Sequence, residues 1–299
     1  MPKNALLKND LNPLSTFSIV AYDPEAKEWG VAVQSRFLAV GWVVPWAKAG
    51  VGAVATQARA NPTYGPRGLE LLASGLGAEE VVARLTGEDP EASVRQLGIV
   101  DAQGRAAAFT GEKCLEWAGQ VTGSNYTCQG NILVSEATVR AMAEAFENAS
   151  GPLADRLVRA LAAGQAAGGD RRGQQSAALL VVKEKGGYGG LNDRFIDLRV
   201  DDHVDPIGEL ARLLGLFKVV WFLTEPGQRV PLDASTTRSL QFHLNRLGYY
   251  QGEVNGLLDA STLDGLAAFA RDENLSELWR NDGYVDGLLW RRLGRKEKS

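Results

Sequence analysis

Two hydroxyl side chains open the first regular stretch of this chain, Ser15-Thr16-Phe17-Ser18-Ile19-Val20-Ala21-Tyr22-Asp23. A hydroxyl attacks a carbonyl only when a base stands beside it. Without one, Thr16 is an ordinary strand residue, and which of the two it is decides what the protein does. A second group of candidates is Asp170, Arg171 and Arg172, inside Gly168-Gly169-Asp170-Arg171-Arg172-Gly173-Gln174-Gln175. Arginine there could hold a substrate carboxylate in a bidentate contact; the alternative is a solvated ion pair. Asn61, Asn131, Gln174 and Gln175 are amides in turn-like contexts. Such amides either cap backbone groups or line a site. Asp201-Asp202-His203 has the residue types of a metal site but no second histidine near it in sequence, so no metal is expected. Gly186-Gly187-Tyr188-Gly189-Gly190 lacks the Gly-Lys-Ser/Thr ending of a phosphate loop. No cofactor is called for.

The elements that must hold these residues follow from the pattern. The first stretch alternates, with Phe17, Ile19 and Ala21 on one face and Ser18, Val20 and Tyr22 on the other. After the polar turn Asp23 to Glu28, Trp29 to Ser35 reads as its hairpin partner. Ala49 to Ala58 is another strand-like run, and its glycines point to close packing. Asn61-Pro62-Thr63-Tyr64-Gly65-Pro66 is a turn, followed by helical spacing at Leu69, Leu72 and Leu76 and again at Val81, Val82 and Leu85. Leu97 to Val100 and Arg105 to Thr110 flank a turn, and Gln120-Val121 and Tyr126 to Cys128 continue the sheet. Helices are predicted from Ser135 through Phe146 and through Leu153, Leu157 and Leu161. Ser176 to Lys183 and Arg194 to Val200 are the last strands, and Ile207 to Phe222 is an amphipathic helix before the linker Thr224 to Gln228. Strands come in groups separated by helix pairs rather than singly. That order fits an α+β fold of layered antiparallel sheets and argues against a doubly wound parallel sheet.

Composition narrows the function classes. The 299 residues suit about two domains at roughly 150 residues each. A net charge of −4 gives no basic surface for nucleic acid. No apolar run approaches the ~20 residues of a membrane span. Residues 1 to 10 lack the apolar core of a secretory signal, so a cytoplasmic location is expected. In that compartment Cys114 and Cys128, read as lying in adjacent strands, are expected to be reduced thiols.

Several motifs occur together in order. They are Thr16 to Ala21, Trp29 to Phe37 with Gln34-Ser35-Arg36, Thr56-Gln57-Ala58, Asn61-Pro62-Thr63-Tyr64-Gly65, and Gly168 to Ser176. Over roughly residues 16 to 212 the chain closely resembles the uncharacterised DUF1028 family, which is grouped with the N-terminal-nucleophile (Ntn) hydrolases. The resemblance implies a four-layer αββα sandwich. It also implies a chemistry in which the first residue of the mature chain is used twice: its hydroxyl attacks, and its free α-amine takes the proton. The α-amine suits that task because its ordinary pKa is about 7.7–8.0. Thr16 matches this first residue, and Lys48 matches the supporting lysine of proteasome-type members. Gln34 stands where those members carry an acid before Ser35-Arg36, so a neutral amide would orient the amine or the lysine. Ser18 becomes the nucleophile only if the register differs. Gln34, Ser35, Arg36, Gln57, Asn61, Asn131, Asp170, Arg171 and Gln175 are the expected lining. One condition attaches: Thr16 has an α-amine only if the bond after Ser15 is cut.

From Leu240 to Gly256 and again through Thr262 to Phe269, the tail resembles a peptidoglycan-binding-like domain. Leu240, Leu244 and Leu247 share one helical face, and Gly248 ends the helix. The expected organisation is a leader at 1–15, an Ntn-hydrolase-like domain at 16–212, a helix and linker at 213–228, and a small all-α three-helix domain at 229–299. The functional expectation is an amidohydrolase acting on a small-molecule or peptide amide; the alternative is a catalytically inert Ntn scaffold that binds a ligand or partner. A homodimer is expected, without nucleic acid or membrane as partner. With no export signal read, the tail is expected to be a contact or oligomerisation module rather than a cell-wall binder.

Overall fold

A computed structural model of the chain describes residues 16–221 and 229–295. The expected leader at 1–15 and the expected linker at 224–228 lie outside the described residues. The chain divides into two units, Met1–Arg212 and Leu213–Ser299.

In the first unit β1 (Thr16–Asp23) and β2 (Glu28–Ser35) form the predicted hairpin. They are followed by β3 (Pro45–Lys48), β4 (Gly52–Ala58), α1 (Tyr64–Ala73), α2 (Ala78–Gly87), β5 (Arg95–Asp101) and β6 (Ala106–Thr110). Then come β7 (Gly119–Gly123), β8 (Tyr126–Asn131), α3 (Ala137–Glu147), α4 (Leu153–Ala166), β9 (Ser176–Val182) and β10 (Arg194–Val200). Helix α5 (Pro206–Trp221) crosses the boundary between the units. The strands make two sheets, in the orders β10-β9-β2-β1-β8-β7 and β3-β4-β5-β6, with every pairing antiparallel. Strand β1 is interior to the larger sheet, between β2 and β8.

Strand periodicity decides what each sheet face touches. Val20, Val31 and Val33 from the larger sheet meet Ala53, Ala55 and Val100 from the smaller one, so the two sheets pack face to face. The other face of the smaller sheet buries Val54, Leu97 and Ile99 against Tyr64, Leu72, Val81 and Leu85 of α1 and α2. On the larger sheet, Phe17 and Ile19 point the opposite way from Val20 and are fully buried. The Phe17 ring reaches Gly164 of α4, and Leu157 of α4 lies over Gly30 of β2. Full burial of such side chains contributes roughly 1.5–3 kcal/mol each.

The second unit holds β11 (Arg229–Pro231), α6 (Ala234–Leu247), α7 (Ala260–Asp272), β12 (Tyr284–Asp286) and α8 (Gly287–Arg295). Leu240, Leu244, Leu266, Phe269, Leu289 and Leu293 form its core. Asp233 and Asp259 cap α6 and α7, each accepting a backbone N–H at 2.8 Å, from Thr236 and Thr262. Gly248 closes α6 at φ 87°. The three helices are present, but the all-α expectation is corrected: β11 pairs antiparallel with β12. Three-residue strands carry too little alternation to be read from sequence. Among the described residues no helix is long and apolar enough to cross a membrane.

One glycine sets how closely the sheets approach. A Cβ on Gly98 of β5 would fall 2.6 Å from Cδ of Gln129, whose amide crosses from β8. That amide is held by the Ser18 hydroxyl, so it cannot move aside freely. Gly98→Ala is therefore expected to destabilise the first unit by about 1–3 kcal/mol, as overpacking does. Urea unfolding measures this, and an unchanged midpoint would show that the sheets can separate without cost.

Candidate active site

At the Thr16 end of β1, the space between the sheets changes from apolar to polar. Alternation places Thr16 and Ser18 on the intersheet face, opposite Phe17. Both are fully buried. Thr16 pairs with Ser35 of β2 on one side and Asn131 of β8 on the other. Its hydroxyl donates to Ser35 Oγ at 3.2 Å.

Three glutamines bridge the sheets above this strand. Ser18 Oγ donates to Gln57 Oε1 and accepts from Gln129 Nε2, each at 2.6 Å. Gln57 Nε2 donates to Gln96 Oε1 at 2.8 Å and approaches the Thr16 carbonyl at 3.4 Å. Gln96 Oε1 also accepts from Asn131 Nδ2 at 3.0 Å, while its Nε2 donates to the Gly130 carbonyl and the Thr110 hydroxyl, each at 2.8 Å. All three glutamines are fully buried. A buried amide must find partners for both ends, and here each amide serves the next.

The loop after α4 reaches the same end of the sheet. Asp170 has a buried side chain that accepts the Arg36 N–H at 3.1 Å and the Arg172 N–H at 2.8 Å. Arg36 Nη1 donates to the Gln174 carbonyl at 2.7 Å. Gln175 ties its N–H to the Ser35 carbonyl at 3.0 Å and its side chain to Asp202 at 3.0 Å. Asp170 is thus the turn's internal acceptor. Arg171 is exposed, with Nη1 3.8 Å from Glu116.

Asn61 belongs to a neighbouring cluster. Its Nδ2 donates to Asp89 Oδ2 at 3.1 Å, and its Oδ1 accepts from Thr63. Asp89 also accepts from the Tyr64 hydroxyl and from Arg95, each at 2.9 Å. Burial pushes the Asp89 carboxyl up, but hydrogen bonds from Arg95, the Glu91 N–H, Asn61 and Tyr64 outweigh it and hold it at about 2. The same burial, with the bond to Asp89, pushes the Tyr64 phenol above its ordinary value.

Two expected members do not join Thr16. Lys48 is exposed at the end of β3 and pairs with Gly52. Gly52 pairs with Asp101, whose carbonyl accepts from the Trp29 indole, and Trp29 pairs with Tyr22. Lys48 therefore stands toward the far end of β1, a strand length of about 20 Å from Thr16. The expectation that it reaches back to the first strand is corrected, because the hairpin direction carries it away. Gln34 is fully buried, but its cross-strand neighbours are Phe17 and Ala177. It faces the helix layer, not Ser35's side, and neither of its amide atoms has a partner among the described residues. Both cysteines are free; Cys114 lies in the loop between β6 and β7 rather than in a strand, and Cys128 lies on β8.

Ser18, Gln96 and Gln129 complete the cluster, and Gln96 and Gln129 carried no weight in the sequence. Their signal was there: each is a polar residue in an otherwise apolar or glycine-containing strand run, Arg95-Gln96-Leu97-Gly98 and Thr127-Cys128-Gln129-Gly130. Among the described residues, no three His, Cys, Asp or Glu side chains gather as a metal-binding set.

Comparison with known proteins agrees with the fold. A model of the DUF1028 family, a family of unknown function, matches residues 16–210. A model of a peptidoglycan binding domain matches residues 221–293. The crystal structure of protein SPO2555 from Silicibacter pomeroyi, of family-model DUF1028, is similar at 33% identity and a TM-score of 0.63. That match covers 68% of this chain and 89% of the other. No curated protein matches.

Asp89 gives a pH prediction. Its carboxyl is at about 2 in the fold against 3.8 as the ordinary value. A lowered carboxyl contributes stability that is complete above its unfolded pKa and is lost as pH falls through the folded one. Asp89→Ala leaves Arg95 short of a buried partner and should cost about 3 kcal/mol at neutral pH. The gap between wild type and variant should shrink as pH falls from 4 toward 2. Thermal melts across that range test this, and a gap independent of pH would refute the assignment.

Proposed function

The chain belongs to the DUF1028 family, and from that premise we propose that it is an N-terminal-nucleophile amidohydrolase with Thr16 as nucleophile. The observation that carries the reading is the place of Thr16: at one end of an interior strand, hydroxyl on the intersheet face, 3.2 Å from Ser35 Oγ and beside bridging amides. The packing of a helix pair, two facing sheets and a second helix pair is read as the αββα arrangement of Ntn hydrolases.

The chemistry needs one covalent event first, hydrolysis of the Ser15–Thr16 bond, which turns the Thr16 amide nitrogen into an amine. The Oγ1 then attacks the substrate carbonyl carbon while its proton passes to the α-amine. The C–N bond breaks, the ammonium returns the proton to the leaving nitrogen, and water hydrolyses the ester left on Oγ1. Amide N–H groups of Gln57 and Asn131 are the nearby donors for the oxyanion. Each donates one of its two N–H groups to Gln96 Oε1. Substrates in this reading are small-molecule or peptide amides, handled by a cytoplasmic homodimer.

The competing reading is an inert scaffold, and the distance of Lys48 from Thr16 favours it. Intact-mass spectrometry separates the two. The hydrolase reading expects a chain beginning at Thr16, labelled there by an amide-mimicking electrophile, with labelling lost in Thr16→Ala. A purified chain that keeps residues 1–15 after long incubation, or labelling that survives Thr16→Ala, overturns it.

The tail in this proposal is a contact element. The full chain is expected to stay in the supernatant when purified cell-wall sacculi are sedimented, and co-sedimentation would overturn that role.

A further inference from the structure

The bridging amides do not end between the sheets. From Asn131 the chain of donors runs outward: Asn131 Nδ2 to Gln96 Oε1 at 3.0 Å, Gln96 Nε2 to Thr110 Oγ1 at 2.8 Å, and the Thr110 hydroxyl to Gln120 Oε1. Every link points the same way, so each bond polarises the next in a low-dielectric interior. The chain surfaces in a hollow of about 430 Å³, lined by Thr110, Glu112, Cys114, Trp117, Gly119 and Gln120. Its walls differ in chemistry. The six-membered end of the Trp117 ring packs so close to Gly119 that a Cβ there would meet Cη2 at 2.5 Å. Gln120 is exposed, and its Nε2 has no partner among the described residues. Among the described residues its Oε1 accepts only from Thr110, which leaves a second acceptor site.

A side-chain amide with its N–H donors and one acceptor site available is complementary to another amide. A tryptophan face beside it suits a flat group. We propose that this hollow binds a small, flat, carboxamide-bearing molecule, stacked on Trp117 and paired with the Gln120 amide. The hydrogen-bond chain through Thr110 and Gln96 then couples the bound amide to Asn131, the neighbour of Thr16. Binding in the hollow stands by itself; only the coupling to Thr16 rests on the hydrolase reading.

Cys114 makes the test selective. The protein has two cysteines, and Cys128 is fully buried, while Cys114 lines the hollow. Benzamide serves as the probe, and intact mass follows the rate of single addition of N-ethylmaleimide to the full chain. Benzamide at about ten times its Kd should slow the addition about tenfold, since the open fraction falls as 1/(1 + [L]/Kd). Trp117→Phe keeps a flat face and should keep the protection; Gln120→Ala and Trp117→Ala should lose it while melting like wild type. Thr16→Ala should remain protected. Unslowed addition, or protection that persists in both Gln120→Ala and Trp117→Ala, overturns the site. If those two variants melt early, Gln120→Glu, which keeps the acceptors and loses the donor, decides in their place. Failure of Thr16 to be labelled with protection intact would sink the hydrolase reading and leave the binding site standing.

Discussion

The first unit depends on a single constraint: three amides buried between two sheets must all be satisfied at once. Gln57 comes from β4, Gln96 from β5 and Gln129 from β8, so the cluster joins both sheets. An unsatisfied buried polar group costs about 1–3 kcal/mol, so losing one amide strands its neighbours as well. This fixes sheet separation and register together. Gly98 leaves room for Gln129, and a shift of β1 by one residue would turn Ser18 away from Gln57 and Gln129.

The same cluster gives the Thr16 end its character. Its charged groups sit apart, in two clusters around it. Asp170 is consumed by the turn that brings Arg36 and Arg172 together, and Asp89 by Arg95, Asn61 and Tyr64. What faces Thr16 is a set of neutral donors and acceptors. A nucleophile there would be oriented by hydrogen bonds rather than by a lysine's charge. Gln34, the neighbour of Ser35 in sequence, lies opposite Phe17 and faces the helices instead.

The second unit is organised on the same principle at smaller scale. Gln241 of α6 is fully buried and donates to the Leu257 carbonyl at 2.9 Å and the Thr262 hydroxyl at 3.0 Å, while its Oε1 accepts the Gly256 N–H at 2.8 Å. One amide thereby fastens the 248–259 loop to two helices. Gly256 has φ 82°, and a Cβ there would meet the Ala234 carbonyl at 2.5 Å, so the position requires glycine.

What the sequence determined by itself was local and periodic. Alternation in residues 16–23 placed Phe17 and Ser18 on opposite faces, and grouped strands between helix pairs implied stacked antiparallel sheets. The Asn61-Pro62 turn and the glycines around Asp170 announced ordered loops. Even the resemblance that singled out Thr16 rested on contiguous motifs. Tertiary structure decided what lies far apart in the chain. Gln57, Gln96 and Gln129 are separated by tens of residues, and nothing local marks them as partners. Lys48 is as close in sequence to Gln57 as any supporting residue need be, yet the antiparallel run of β3 and β4 puts it toward the opposite end of β1. Gln34 and Ser35 are adjacent, yet a strand turns successive side chains to opposite faces, and only Ser35 faces Thr16. Periodicity is written in neighbouring residues, whereas strand direction and register are settled by pairing across the sheets, where the amides of Gln57, Gln96 and Gln129 find their partners.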